Sequence, residues 1–227
     1  MNTLTGNKNR LVPLMSVLVL CIIFLVLVFK LISTDNRGAN LVKYGDKVSQ
    51  PIYIDFKELQ LDYPLSMSDI TADQLSKLNK WVFLSYGYTS CPDICPSTLL
   101  TLKSTIDELN RRHPDIGVTV LFYTLDPEVD TAERLREYVN YFSSEFITAR
   151  ANSRADATKF ENKLGIVKSR DTSVSETFIE HNANLYLLDP DGMLKFVFRP
   201  TINSTFFELP SKTQLVNGFN SIYQPKD

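Results

Sequence analysis

Two hydrophobic patterns divide the chain. Residues 11–29 carry no charged side chain and are dominated by Leu, Val, Ile, Phe, Met and Cys. With Lys30, Leu31 and Ile32 the run reaches 22 residues, enough at about 1.5 Å per residue to cross a hydrocarbon core. Lys30 can stretch its stem toward the headgroups, and Pro13 falls in the first turn, where it costs little. The run is longer than a signal-peptide core and no A-x-A-like cleavage site follows it. An uncleaved transmembrane helix over residues 11–32 is therefore expected. Residues 33–45 are mostly polar and read as a tether.

From residue 46 to residue 227 the pattern is that of one folded domain. Val48, Ile52, Ile54 and Phe56 share one parity, which predicts a half-buried strand over 46–58. Residues 69–80 read as a short helical or loop segment. Trp81-Val82-Phe83-Leu84-Ser85-Tyr86-Gly87-Tyr88 is apolar on both faces, as a buried central strand is. Leu99, Leu100, Leu102, Ile106 and Leu109 recur at helical spacing until His113-Pro114 breaks it. A second strand is predicted over 118–125. Helices follow over 131–142, with Leu135, Tyr138, Val139 and Phe142 on one face, and over 155–164, stopped by Gly165. A third strand over 185–188, a turn at Asp189-Pro190-Asp191-Gly192 and a fourth strand over 193–198 form a hairpin. A helix over 213–223 closes the chain.

This order of elements implies a parallel core finished by an antiparallel hairpin, with helices on both faces. The expected fold is α/β: a thioredoxin-like central sheet with flanking helices, preceded by one N-terminal transmembrane helix. Charge changes the picture little. The formal net charge is −2, and no basic stripe interleaved with aromatics occurs, so no nucleic-acid partner is expected. Charge does orient the anchor. Residues 1–10 carry Lys8, Arg10 and the α-amino group with no acid, whereas Asp35 and Asp46 oppose Lys30, Arg37 and Lys43 beyond the span. The positive-inside rule then assigns residues 1–10 to the cytoplasm and the domain to the other side. No Arg- and Ser-rich transit segment precedes the span. This favours a bacterial inner membrane with the domain in the periplasm; the mitochondrial inner membrane is the alternative.

The chemistry lies in few residues. Of three cysteines, Cys21 sits in the apolar run as a small hydrophobe. Cys91 and Cys95 stand where the central strand meets a helix. A disulfide between them would close too small a loop to restrain the unfolded chain much, so a metal or redox role is the stronger reading. At i and i+4 of a helical turn they share one face, near the positive end of the helix, which lowers thiol pKa. Pro96 tolerates only a first turn, so the helix is expected to start between the cysteines or just after Cys95. His113 belongs to a surface turn. His181 precedes the third strand, in the loop that approaches the cysteine-bearing helix of a thioredoxin-like fold. Two thiolates and an imidazole suit Cu(I), with zinc second because it usually takes a fourth ligand. The rival is a thiol-disulfide oxidoreductase on the same fold. Thioredoxin-type enzymes place two residues between their cysteines, where three stand here, and a cis-proline where Ala183-Asn184 stands.

At these residues the chain resembles the SCO/SenC family, copper-binding assembly factors of cytochrome c oxidase. The matching segments are Gly87-Tyr88-Thr89-Ser90-Cys91-Pro92-Asp93-Ile94-Cys95-Pro96 and Thr124-Leu125-Asp126-Pro127-Glu128-Val129-Asp130-Thr131. The third is His181 followed by Tyr186-Leu187-Leu188-Asp189-Pro190-Asp191-Gly192. The resemblance implies copper, as Cu(I) and also as Cu(II), on Cys91, Cys95 and His181. It implies a metallochaperone rather than an enzyme, one that delivers copper to, or helps mature, the dinuclear copper site of cytochrome c oxidase subunit II or another copper client. The alternative is a reductase that keeps client cysteines reduced through Cys91 and Cys95. Asp126 matches a family aspartate linked to copper handling or partner contact; it reads equally as a turn residue before Pro127. Thr124-Leu125 replaces a Ser-Val or Ser-Ile pair of many relatives. The 168–180 stretch holds Asp171, Glu176 and Glu180 but no further histidine.

Overall fold

In chain order the elements are β1 (Gly45–Tyr53), β2 (Leu59–Asp62), β3 (Lys80–Gly87), α1 (Ile94–Arg112), β4 (Gly117–Thr124), α2 (Ala132–Asn140) and β5 (Ile147–Ala151). They continue with α3 (Arg154–Leu164), β6 (Lys168–Arg170), β7 (Ile179–His181), β8 (Leu185–Leu188), β9 (Met193–Phe198), β10 (Thr201–Ile202), β11 (Phe207–Glu208) and α4 (Lys212–Asn220). The structure, a computed structural model, describes residues 23–24, 45–54, 56–57, 59–62, 78–170, 178–202 and 207–223. The span expected at 11–32 lies outside them except for Ile23 and Phe24, which are helical, and so do residues 69–77. Among the described residues no helix is long and apolar enough to cross a membrane.

Seven strands form the central sheet in the order β1-β9-β8-β3-β4-β5-β2. β3, β4 and β5 run parallel, and β8, β9, β1 and β2 join antiparallel. The parallel strands are apolar on both sides because helices cover both. On one face Phe83, Val120, Phe122, Leu187 and Phe198 pack on Leu99 and Leu102 of α1, Leu135 and Val139 of α2, and Phe219 of α4. On the other, Val82, Leu84, Leu121 and Tyr123 pack on Phe160 and Leu164 of α3. Gly165 ends α3 at φ +65°, a left-handed cap that glycine takes without strain.

The structure departs from the sequence reading in places. β5 was not expected between the two middle helices; it turns that stretch into a strand–helix–strand–helix series. The first strand stops at Tyr53, although Ile54 and Phe56 remain in the core. The buried face of α1 runs through Cys95, Thr98, Leu99, Leu102, Thr105, Ile106 and Leu109. Leu100, counted with that face from sequence, is 57% exposed, because one residue turns the helix by about 100°.

Candidate metal centre

β3 delivers the chain to the site. After Gly87 the backbone turns, with the Cys91 N–H donating to the Tyr88 carbonyl at 3.2 Å. α1 begins at Ile94, between the two cysteines as expected, and Pro96 is its third residue. No intrahelical bond is lost there, since the first four N–H groups have no partner in the helix. The first turn carries no acid and Asp93 makes no side-chain cap. Those free N–H groups are turned to the sulfur of Cys91, which accepts from the backbone of Cys95 and Asp93.

Cys91 and Cys95 are free thiols. Cys91 is half-buried, and its pKa falls to about 5. The main cause is a hydrogen bond with the Cys95 thiol, followed by the two backbone N–H groups and the charge of His181, against the opposing effect of burial. Cys95 is 3% exposed. Its pKa is raised, first by the same hydrogen bond and then by burial and the neighbouring charge. One sulfur is thus a thiolate and the other the proton donor that stabilises it. Alkylation by iodoacetamide should therefore report Cys91 alone. The thiolate is the reactive form and is populated above the lowered pKa, so the rate is expected to rise through half-maximum near pH 5. A midpoint at the ordinary thiol value, two or more pH units higher, would show that the sulfurs do not share a proton.

A second set of residues fixes the loop that bears Cys91. The Asp130 carboxylate, 1% exposed, accepts from the Thr89 N–H at 3.1 Å, from the Thr89 hydroxyl, and from the Thr124 hydroxyl at 2.6 Å. Arg134 of α2 donates to the Thr89 hydroxyl at 2.7 Å and to the Ser90 hydroxyl at 3.0 Å. Sequence reasoning missed this role. Asp130 stood in a quoted motif, one residue before the Thr131 cap of α2, but nothing local said that its carboxylate is buried.

His181 is not in a loop, as the sequence suggested. It ends β7, a strand paired with β6 in register Lys168↔His181, Ser169↔Glu180 and Arg170↔Ile179. The residues of β6 are polar and exposed, so no hydrophobic period announced the hairpin. The imidazole lies between Tyr86 and Tyr88, with ring centroids 5.5 and 6.4 Å away. Its Nδ1 is 2.6 Å from the Asn182 carbonyl. A carbonyl only accepts, so Nδ1 carries a proton, and in the neutral ring Nε2 has the lone pair a metal needs. Asn182 is itself held, its Oδ1 accepting from the Tyr86 hydroxyl at 2.9 Å and its Nδ2 donating to the Gly165 carbonyl at 2.9 Å.

Cys91 and His181 line one cavity of about 890 Å³, together with Tyr88, Ile94, Phe178 and Phe207. Cys95, hydrogen-bonded to Cys91, is buried and is not among the residues that line the cavity. Among the described residues no three His, Cys, Asp or Glu side chains stand close enough to hold a metal as they are. Asp126 lies elsewhere. Its carboxylate pairs with Arg170 at 2.7 Å and its N–H is held by the Thr124 hydroxyl at 3.0 Å. It lines a separate cleft of about 530 Å³. His113 packs on Phe219 and Tyr223 at the end of α1.

The SCO1/SenC family model matches residues 60–207. The chain is similar to the mitochondrial SCO1 homolog 1 of Arabidopsis thaliana, 28% identical over 120 residues, 52% of this chain and 36% of that protein. It is also similar to a SCO2-like protein of Rickettsia prowazekii, 36% identical over 110 residues, 47% of this chain and 52% of that protein. The matched part is thus between a third and about half of those relatives' length. The crystal structure of Arabidopsis thaliana ScoI with copper bound superposes with a TM-score of 0.53 at 25% identity, over 64% of this chain and 86% of that one.

Proposed function

The chain belongs to the SCO1/SenC family, and from that premise we propose that it is a copper carrier whose cargo is Cu(I) held by Cys91, Cys95 and Nε2 of His181. The observation that carries the reading is the cavity shared by the Cys91 thiolate and the His181 imidazole, whose Nδ1 is tied to the Asn182 carbonyl, with the Cys95 thiol hydrogen-bonded to Cys91 behind it. Soft sulfur donors select Cu(I), and three ligands suit its trigonal form. Loading removes the Cys95 proton and brings together the three side chains, which do not yet surround one point. Cu(II) is the oxidised form of the same cargo. A similar relative, Arabidopsis ScoI, holds copper.

The client in this reading is subunit II of cytochrome c oxidase or another copper protein that takes the ion by ligand exchange. The anchor is residues 11–32, with residues 1–10 in the cytoplasm, 33–45 as tether and 46–227 as the copper domain in the periplasm of a bacterial inner membrane. The reduced protein is expected to bind one copper per chain, with two sulfur neighbours and one nitrogen by X-ray absorption. His181→Ala should lose the nitrogen and weaken Cu(I) binding by more than the roughly 10- to 100-fold of an outer-shell change. Near-wild-type affinity in that variant would remove His181 from the site.

The asymmetry of the sulfurs also favours a second reading, reduction of a client disulfide. The Cys91 thiolate would attack one client sulfur and release the other as a thiol. The Cys95 thiol would then give its proton to a client sulfur, attack Cys91 Sγ and displace the client sulfur bound there, leaving the Cys91–Cys95 pair oxidised and the client a dithiol. That exchange needs no imidazole. Client reduction that survives His181→Ala, in a variant that no longer carries copper, would assign the two activities separately.

A further inference from the structure

The β6–β7 hairpin forms a two-stranded sheet of its own and shares no ladder with the seven-stranded one among the described residues. It is nevertheless fastened to the body of the domain by charged side chains. Lys168 Nζ lies 2.7 Å from Glu161 Oε1 and donates to the Leu125 carbonyl at 3.3 Å. Arg170 Nη2 lies 2.7 Å from Asp126 Oδ1. Both carboxylates belong to the body of the domain: Glu161 stands on α3 and Asp126 two residues beyond β4. They are 6% and 3% exposed. Glu161 Oε1 also accepts from the Tyr123 hydroxyl of β4 at 3.0 Å. The hairpin is the wall between the two cavities, since Lys168 and Ile179 line both.

Lys168 is the residue directly across the ladder from His181. An ion pair between a buried carboxylate and a partly exposed cation contributes little net stability, because the carboxylate loses water and the cation is still screened by it. What it does supply is one geometry, and a metal ligand must be held to within about 0.5 Å. We infer that Glu161 and Lys168, with Asp126 and Arg170 as a second tie, are positioning residues that hold the hairpin so that His181 reaches the copper. The inference rests on the reading of His181 as a ligand. It also accounts for Asp126, which lies away from the sulfurs yet bonds to the histidine-bearing hairpin.

The test is a double-mutant cycle in the full-length, reduced protein, with Cu(I) affinity measured against a chromophoric Cu(I) chelator. Lys168→Met keeps the stem and removes the charge. It is expected to weaken binding by about tenfold or more and to reduce the nitrogen contribution in X-ray absorption, while Lys168→Arg restores both. In a His181→Ala background the same change should alter affinity by about twofold at most, because the group it positions is gone. The paired variant Glu161→Gln/Lys168→Met leaves no lone buried charge and carries the same comparison if Lys168→Met fails to fold by circular dichroism. An equal loss in both backgrounds, or no loss in the first, overturns the inference while His181 stays a ligand. A His181→Ala protein with wild-type affinity overturns the reading beneath it, and the inference falls with it.

Discussion

Gly87→Ala is expected to abolish tight copper binding while leaving every proposed ligand in the chain. A methyl group at Gly87 would lie 2.4 Å from Cys95 Sγ, far inside contact distance, and 3.5 Å from the Phe122 ring. The strand cannot yield. Gly87 pairs with Thr124 in the parallel ladder, and its carbonyl accepts the Leu125 N–H at 2.7 Å. The sulfur must therefore turn, and turning separates it from Cys91. Forcing an extra methyl into a packed interior costs about 1 to 3 kcal/mol of stability, so the domain should still fold. Copper affinity should fall by about 100-fold or more, above the range of an outer-shell change. Cu(I) competition alongside a thermal melt checks both parts. A folded variant with wild-type affinity would mean that Cys95 can reach the ion from another rotamer.

The second large effect is expected at Asp130. Its carboxylate holds one N–H and two hydroxyls of two separate segments, with Arg134 Nε 3.8 Å away. Asp130→Ala strands those donors in the interior. Hydrogen bonds to a charged group contribute about 1.5 to 3 kcal/mol each. A loss of about 3 kcal/mol or more is expected in urea denaturation, with Asp130→Asn between it and the wild type. Thr89 stands two residues before Cys91, so the loss should also loosen the loop that places the first sulfur. A change below about 1 kcal/mol would show that the turn is held without the carboxylate.

These two residues mark what a linear reading reaches. Hydrophobic period is a local property, so the runs at Trp81 to Tyr88 and Val118 to Leu125 and the helical spacing around Leu102 and Ile106 declared themselves. So did the junction that brings Cys91 and Cys95 to the head of α1, because Pro92 and Pro96 restrict where that helix can begin. The order of those elements was enough to name the fold class, and the cysteine block enough to point to the family. Burial of a polar group is different. Asp130, Glu161 and Asp126 look in sequence like surface acids, and their partners Thr89, Lys168 and Arg170 lie 7 to 44 residues away. The strands β6 and β7 hide for the same reason, since the partner across the ladder makes a polar tripeptide extended.

Sequence alone determined most of the strands and helices of the core, β2 and β5 excepted, and that two sulfurs meet at one strand–helix corner, because both follow from neighbours within a turn or two. Only the tertiary structure decided that Cys91 keeps the charge while Cys95 keeps the proton. It alone set His181 on a hairpin with its Nδ1 tied to a carbonyl, and tied that hairpin down with buried acids. Each of these depends on groups brought together through space, where lost water and fixed partners outweigh any preference carried by the residue itself.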